Sequence, residues 1–172
     1  MNALKERPAK ALEPMDVVGQ DSKRQISEMI LSMPLFQDLQ PKEVDLLGRF
    51  VKLCRVRENS VIFEEGEEAD FMGLIVEGLA ELSKENSGHA WVKIGSEGSG
   101  RTLGEMALVD GERRSATAKF VQSGTVLLLT RESFNQILSQ HPQLGVSILH
   151  RLCRMLSQRL RRTTGILSDY LK

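Results

Sequence analysis

Along this chain the spacing of apolar residues changes period twice. From Ser22, positions Ile26, Met29, Ile30 and Met33 recur at helical intervals and stop before Pro34, which cannot continue a helix. After Leu35-Phe36-Gln37-Asp38-Leu39, Pro41 stands at the start of a short helix carrying Val44, Leu47 and Phe50. Then the pattern shortens. Val51–Arg57, Ser60–Phe63 and Phe71–Val76 are brief runs rich in β-branched and aromatic residues, with Glu64–Asp70 as a turn before the third. Leu79–Leu82, His89–Ile94, Thr117–Val121 and Thr125–Leu129 continue the series, with turns expected at Glu77-Gly78 and Lys84–Gly88. From Arg131 the helical period returns. Glu132–Gln140 turns Phe134, Ile137 and Leu138 inward, and Pro142 opens a run reaching about Leu171.

Short strands at close spacing point to an antiparallel barrel or jelly roll rather than a parallel sheet. The expected fold class is α+β: an antiparallel β-roll of about eight strands over 51–130, preceded by N-terminal helices and followed by helices over 131–171. Residues 1–21 mix charges with Pro8 and Pro14 and are expected to be a mobile arm ahead of a domain spanning 22–172. In the last helix Leu149, Leu152, Leu156, Leu160, Thr163, Leu167 and Leu171 lie three or four residues apart in one stripe. A helix of about 30 residues spans about 45 Å, further than a small β-roll reaches. Its far end is expected to pack on a partner helix in a homodimer, the alternative being that it folds back over its own roll.

Composition narrows the classes of function. The chain has 172 residues, 41% hydrophobic and 27% charged, enough for one real core. Lys+Arg and Asp+Glu are both 23, so no global field favours nucleic acid or an anionic membrane. No apolar run approaches the ~18 residues of a membrane span, and the first residues lack the apolar centre of a secretory signal. Cys54 and Cys153 read as free thiols, which fits a cytoplasmic location. His89, His141 and His150 show no metal spacing, the serines no nucleophile elbow, and Glu64–Asp70 no calcium-loop alternation. No catalytic residue, metal or cofactor is expected.

One segment does carry chemistry. Gly104-Glu105-Met106-Ala107-Leu108 begins a short helix whose free N–H groups favour an anion, and Arg113-Arg114-Ser115-Ala116 follows after a tight turn. Glu105 is an acceptor suited to a sugar hydroxyl, and an arginine fork matches two phosphate oxygens. A carboxylate repels phosphate, so Glu105 must face a neutral hydroxyl-bearing part of a ligand whose phosphate meets the arginine.

Leu103-Gly104-Glu105-Met106-Ala107-Leu108 and Arg113-Arg114-Ser115-Ala116-Thr117 resemble the phosphate-binding cassette of the cyclic nucleotide-binding domain family. That pattern reads roughly Phe-Gly-Glu-Leu-Ala-Leu and then Pro-Arg-Ala-Ala-Thr. Arg113 stands where many members have Pro, and register gives the phosphate role to Arg114, directly before Ser-Ala-Thr. The resemblance implies that Glu105 accepts from the ribose 2′-hydroxyl and Arg114 pairs with the cyclic phosphate. Backbone N–H groups of Glu105, Met106 and Ala107, with Ser115, would complete the phosphate shell, while Leu103, Met106 and Leu108 press on the hinge of the last helices. Ser115 replaces the Ala or Thr that separates cAMP from cGMP in kinase-type members. The last helix also resembles that of bacterial catabolite-activator-like proteins, which places Thr163 and Thr164 where that group touches the adenine amine. Ordinary back-bonding of helix threonines is the competing account. The ligand so implied is cAMP, with cGMP possible.

Arg151, Arg154, Arg159, Arg161 and Arg162 form a basic run expected to be a solvated helix face. No helix-turn-helix follows within this sequence, so sequence-specific DNA binding is not expected. The resulting expectation is a cyclic nucleotide sensor whose last helix moves on binding and signals to a downstream protein. A ligand-independent dimerisation module and a cyclic dinucleotide-responsive regulator are the alternatives.

Overall fold

The computed structural model describes residues 11–15 and 20–170. In chain order these form β1 (Leu12–Pro14), α1 (Gln20–Ser32), α2 (Pro41–Leu47), β2 (Val51–Val56), β3 (Val61–Phe63) and β4 (Phe71–Glu85). There follow β5 (Trp91–Gly98), β6 (Thr102–Leu103), α3 (Glu105–Asp110), β7 (Thr117–Thr130), α4 (Arg131–Gln140) and α5 (Pro142–Tyr170). The strands make one antiparallel sheet ordered β1-β2-β7-β4-β5, with β3 added to β7 and β6 to β4.

The sheet is built on β4 and β7, which pair from Phe71↔Thr130 to Ser83↔Thr117. The expected turn at Glu77-Gly78 is instead a bulge within β4, and the runs 117–121 and 125–129 are likewise one strand. Gly78 (φ +103) and Gly124 explain this. A Cβ on Gly78 would come within 3.0 Å of the Gly124 Cα, and one on Gly124 would overlap the Glu77 carbonyl. The two backbones cross in contact, the register shifts there, and both strands bend without breaking. Described strands therefore number seven rather than about eight, because two of them each serve both ends of the roll.

Part of the expected mobile arm is also strand. Leu12 pairs with Val56 and Pro14 with Cys54, and the Met15 N–H donates to the Leu53 carbonyl at 2.9 Å. Pro14 sits on an outer strand, where its missing N–H costs no ladder bond. Gln20 and Asp21 of the expected arm begin α1, while residues 1–10 and 16–19, and Leu171 of the helical stripe, lie outside the described residues.

Strand alternation divides the interior. Leu127 and Leu129 face the helices together with Leu53, Met72 and Leu74, whereas Val126 and Leu128 face the inside of the roll with Cys54, Ile75 and Phe120. The helical side is completed by Ile30, Met33, Val44, Leu47, Phe134, Ile137, Leu144, Ile148 and Leu152. Thr130 caps α4 by accepting from the Ser133 N–H at 3.1 Å. α5 is thereby anchored through Leu152. From Leu160 to Asp169 every residue is exposed.

Candidate functional site

Three polar or charged residues are buried in the described chain: Thr102, Glu105 and Arg114, at 2%, 3% and 3% exposure. All line one cavity of about 390 Å³ between the β6–α3 corner, the start of β7 and α5. That volume is within the usual range for small-molecule pockets.

Backbone chemistry sets the Arg114 position. Its N–H donates to the Glu67 carbonyl and its carbonyl accepts from Gly66 N–H, both at 2.9 Å, so the β3–β4 turn clamps it. Gly66, with φ +80, makes that turn possible. The guanidinium lies 4.1 Å from the Phe63 ring centre and 4.6 Å from that of Phe71. Its Nη1 donates to the Gly104 carbonyl at 3.2 Å, while buried Nε and Nη2 have no partner. Burial lowers the guanidinium pKa to about 10, against the opposing pull of the Asp70 and Glu67 carboxylates. Among the described residues this buried cation is held by one carbonyl and two aromatic faces, with two of its N–H-bearing nitrogens left unpaired.

Glu105 opens α3 behind Gly104, whose φ of +69 only glycine adopts freely. Its Oε2 accepts from Thr102 Oγ1 at 3.0 Å, and its Oε1 is paired with Arg159 Nη1. Arg159 Nη2 also lies 3.3 Å from Glu97 Oε1, and Arg101 Nε donates to Glu97 at 2.9 Å. A chain of alternating charges thus runs from β5 through α5 to the cassette. Arg131 fixes the other side of α3, donating to the carbonyls of Ala107 and Ala69.

Leu103, Gly104, Glu105, Met106, Ala107, Arg114, Ser115, Ala116 and Thr163 all line this cavity; Thr164 does not. Thr163 and Thr164 donate to the carbonyls of Arg159 and Leu160 at 3.0 and 2.9 Å, the back-bonding pattern of helix threonines. Arg113 lines the rim and donates to the Gly66 carbonyl at 2.8 Å, leaving the buried place to Arg114.

Arg159 corrects the sequence reading. It does not belong to a solvated face but reaches into the site, with its side chain 29% exposed. The available signal was its place one turn before Thr163 on the same side of the helix. Arg151 is likewise drawn in, 3.5 Å from Asp38, whereas Arg161 and Arg162 are exposed. Phe63, Leu82, Ile94, Glu97 and Thr102 also line the cavity and were read only as strand residues or not at all. Among the described residues, no cluster of His, Cys, Asp and Glu could hold a metal, and no helix is long and apolar enough to cross a membrane.

Residues 53–141 match the model of the cyclic nucleotide-binding domain. The chain belongs to that family. It is 30% identical over 128 residues to the cyclic AMP receptor protein of Thermus thermophilus, covering 74% of this chain and 57% of that protein. Among solved structures, a cyclic nucleotide-binding domain from Methylobacillus flagellatus superposes with a TM-score of 0.82 at 24% identity, covering 96% of this chain and 93% of that one. The T. thermophilus catabolite activator protein gives 0.70 at 29% identity, over 80% and 62% of the two chains. The roll with its cassette and long helix is thus a cyclic nucleotide-binding domain, and the chain spans little more than half of its T. thermophilus relative.

Proposed function

We propose that this domain is a regulatory sensor that binds a cyclic nucleotide, cAMP in preference to cGMP, and relays binding through α5 to a partner protein. One observation carries the reading: Arg114 is buried with Nε and Nη2 unpartnered in a cavity that also holds Glu105. A cyclic phosphate supplies the oxygens that this fork lacks. Glu105 retains lone pairs beyond those taken by Thr102 and Arg159, enough to accept from a ribose 2′-hydroxyl. Leu82 and Ile94 offer the base apolar walls, and the Thr163 hydroxyl can accept from an exocyclic amine. The cyclic AMP receptor protein among its relatives supports the same preference.

Transmission follows from Arg159, which joins α5 to the acceptor of the ribose. A hydroxyl arriving at Glu105 competes for its oxygens and alters the Arg159 bridge. The helix is thereby biased between two positions, by no more than the ligand's differential affinity for them. The domain acts by binding, in the cytoplasm, and pairs with a second copy through the exposed part of α5. Titration calorimetry with cAMP and cGMP tests the reading. Saturable binding, tighter for cAMP and lost in Arg114→Ala, is expected. No heat or melting shift with either nucleotide at millimolar concentration would reject it.

A further inference from the structure

A second cavity, of about 300 Å³, adjoins the first, and Thr102 and Arg159 line both. Its walls are the segment before α2, the β5–β6 turn and the face of α5 from Arg151 to Arg159. Four guanidinium groups line it, those of Arg101, Arg151, Arg154 and Arg159, against the single carboxylate of Asp38.

The counterions do not balance this charge. Arg151 meets Asp38 only at 3.5 Å, and Asp38 is 70% exposed. Arg101 and Arg159 share Glu97 and Arg159 also pairs with Glu105, so three carboxylates face four guanidiniums, and Arg159 keeps a buried Nε with no partner. The Arg154 side chain has no hydrogen bond or ion pair among the described residues. Cations gathered in a concave site with apolar walls, here Pro34, Leu35 and Met155, focus a positive potential that an anion relieves.

We propose that this groove is a second ligand site, taking a small diphosphate ester, separate from the cavity that holds Arg114. Two features select that class. The guanidiniums come from separate elements, Arg101 from the β5–β6 turn and Arg154 from α5, so one ligand must present anionic groups to both sides. The space exceeds a single phosphate, and Pro34, Leu35 and Met155 can cover the organic part of an ester. At 3.6 residues per turn, Arg154 and Gln158 lie on the side of α5 opposite Leu156, Leu160 and Thr163. The groove therefore stays open when the leucine stripe is covered.

The probe is inorganic pyrophosphate, titrated calorimetrically into the full chain with ionic strength held constant by sodium chloride. Saturable one-to-one binding is expected, unchanged in Arg114→Ala. Arg154→Ala should weaken it at least about tenfold, the scale of one charged hydrogen bond. Arg154 is exposed, so that variant should melt like wild type, which a thermal scan checks. Heats matched by sodium chloride alone would overturn the proposal. So would binding that survives Arg154→Ala but fails in Arg114→Ala, which would place the anion in the nucleotide cavity.

Discussion

Gly104 and Arg114 occupy one space: a Cβ on Gly104 would overlap Arg114 Nη1 and lie 3.1 Å from its Cζ. The glycine is needed for its φ of +69 as well. Gly104→Ala should therefore cost about 1–2 kcal/mol of stability from the backbone alone. It should also push the guanidinium off Phe63 and Phe71 and weaken cyclic nucleotide binding more than its stability loss explains. Melting curves and calorimetry on the same preparation separate the two effects.

Burying Arg114 with two unpartnered nitrogens costs the fold stability. The Arg114 pKa is lowered from the ordinary guanidinium value to about 10, so the charged form is penalised in the folded state at every pH below about 10. The penalty fades only as pH rises from there towards the ordinary guanidinium range, because over that window the unfolded chain binds more protons. Arg114→Met keeps contact with the two phenylalanine rings and removes the unpartnered donors. Ligand-free protein should then be as stable as wild type or more so, by up to about 1–3 kcal/mol near neutral pH. Cyclic nucleotide binding should fall by about 2–5 kcal/mol, the cost of truncating a buried charge partner. A variant that binds normally would remove Arg114 from the phosphate role.

What the sequence made legible was whatever depends on neighbours along the chain. The cassette residues 103–116 are local, and so are the helix starts at Pro41 and Pro142 and the period change at Val51. What it hid depends on contacts across the fold. Gly78 resembles a turn glycine until Gly124 is seen against it, 46 residues later in the sequence. Arg159 resembles its exposed neighbours Arg161 and Arg162 until Glu105 is placed opposite, 54 residues away. Leu12 carries no long apolar run, so its pairing with Val56 left only a weak trace.

Arg159 is the link between the cassette and α5. Arg159→Gln should leave cyclic nucleotide bound, with affinity changed less than in Arg114→Ala, but should uncouple the helix. Cys153 provides the reporter. It is exposed on α5, whereas Cys54 is buried and its thiol pKa is pushed up by that burial, so a thiol-reactive fluorophore selects Cys153. Nucleotide should change the emission of labelled wild type and leave labelled Arg159→Gln nearly unchanged. Equal responses in both would show that α5 senses the ligand by another route.

Two glycines should respond in opposite directions. Gly124→Ala drives a methyl group into the Glu77 carbonyl where β4 and β7 cross, with no flexible side chain to yield. A loss of about 3 kcal/mol is expected, at the upper end of overpacking costs. Gly165 lies inside α5 with nothing within 4 Å of an added Cβ. Gly165→Ala should stabilise that helix by about 1 kcal/mol. Urea midpoints test the first, and helix content by circular dichroism on heating tests the second.

Beyond Arg159, the α5 residues from Leu160 to Asp169 are all exposed, its leucines included. Leu160 and Leu167 are 68% and 55% exposed and lie with Thr163 on one side of the helix. Fully burying such a side chain is worth about 1.5–3 kcal/mol, so a stripe shared by two copies gains several leucines at once. Leu160→Glu and Leu167→Glu together place like charges along that seam without touching the roll. Sedimentation velocity should give a dimer for wild type and a monomer for the double variant. The variant monomer should still bind cyclic nucleotide, because Glu105 and Arg114 lie in the same chain's cavity. If wild type is monomeric with and without nucleotide, the stripe serves another partner and the two-copy arrangement fails. If binding is lost with the dimer, α5 of the second copy completes the site.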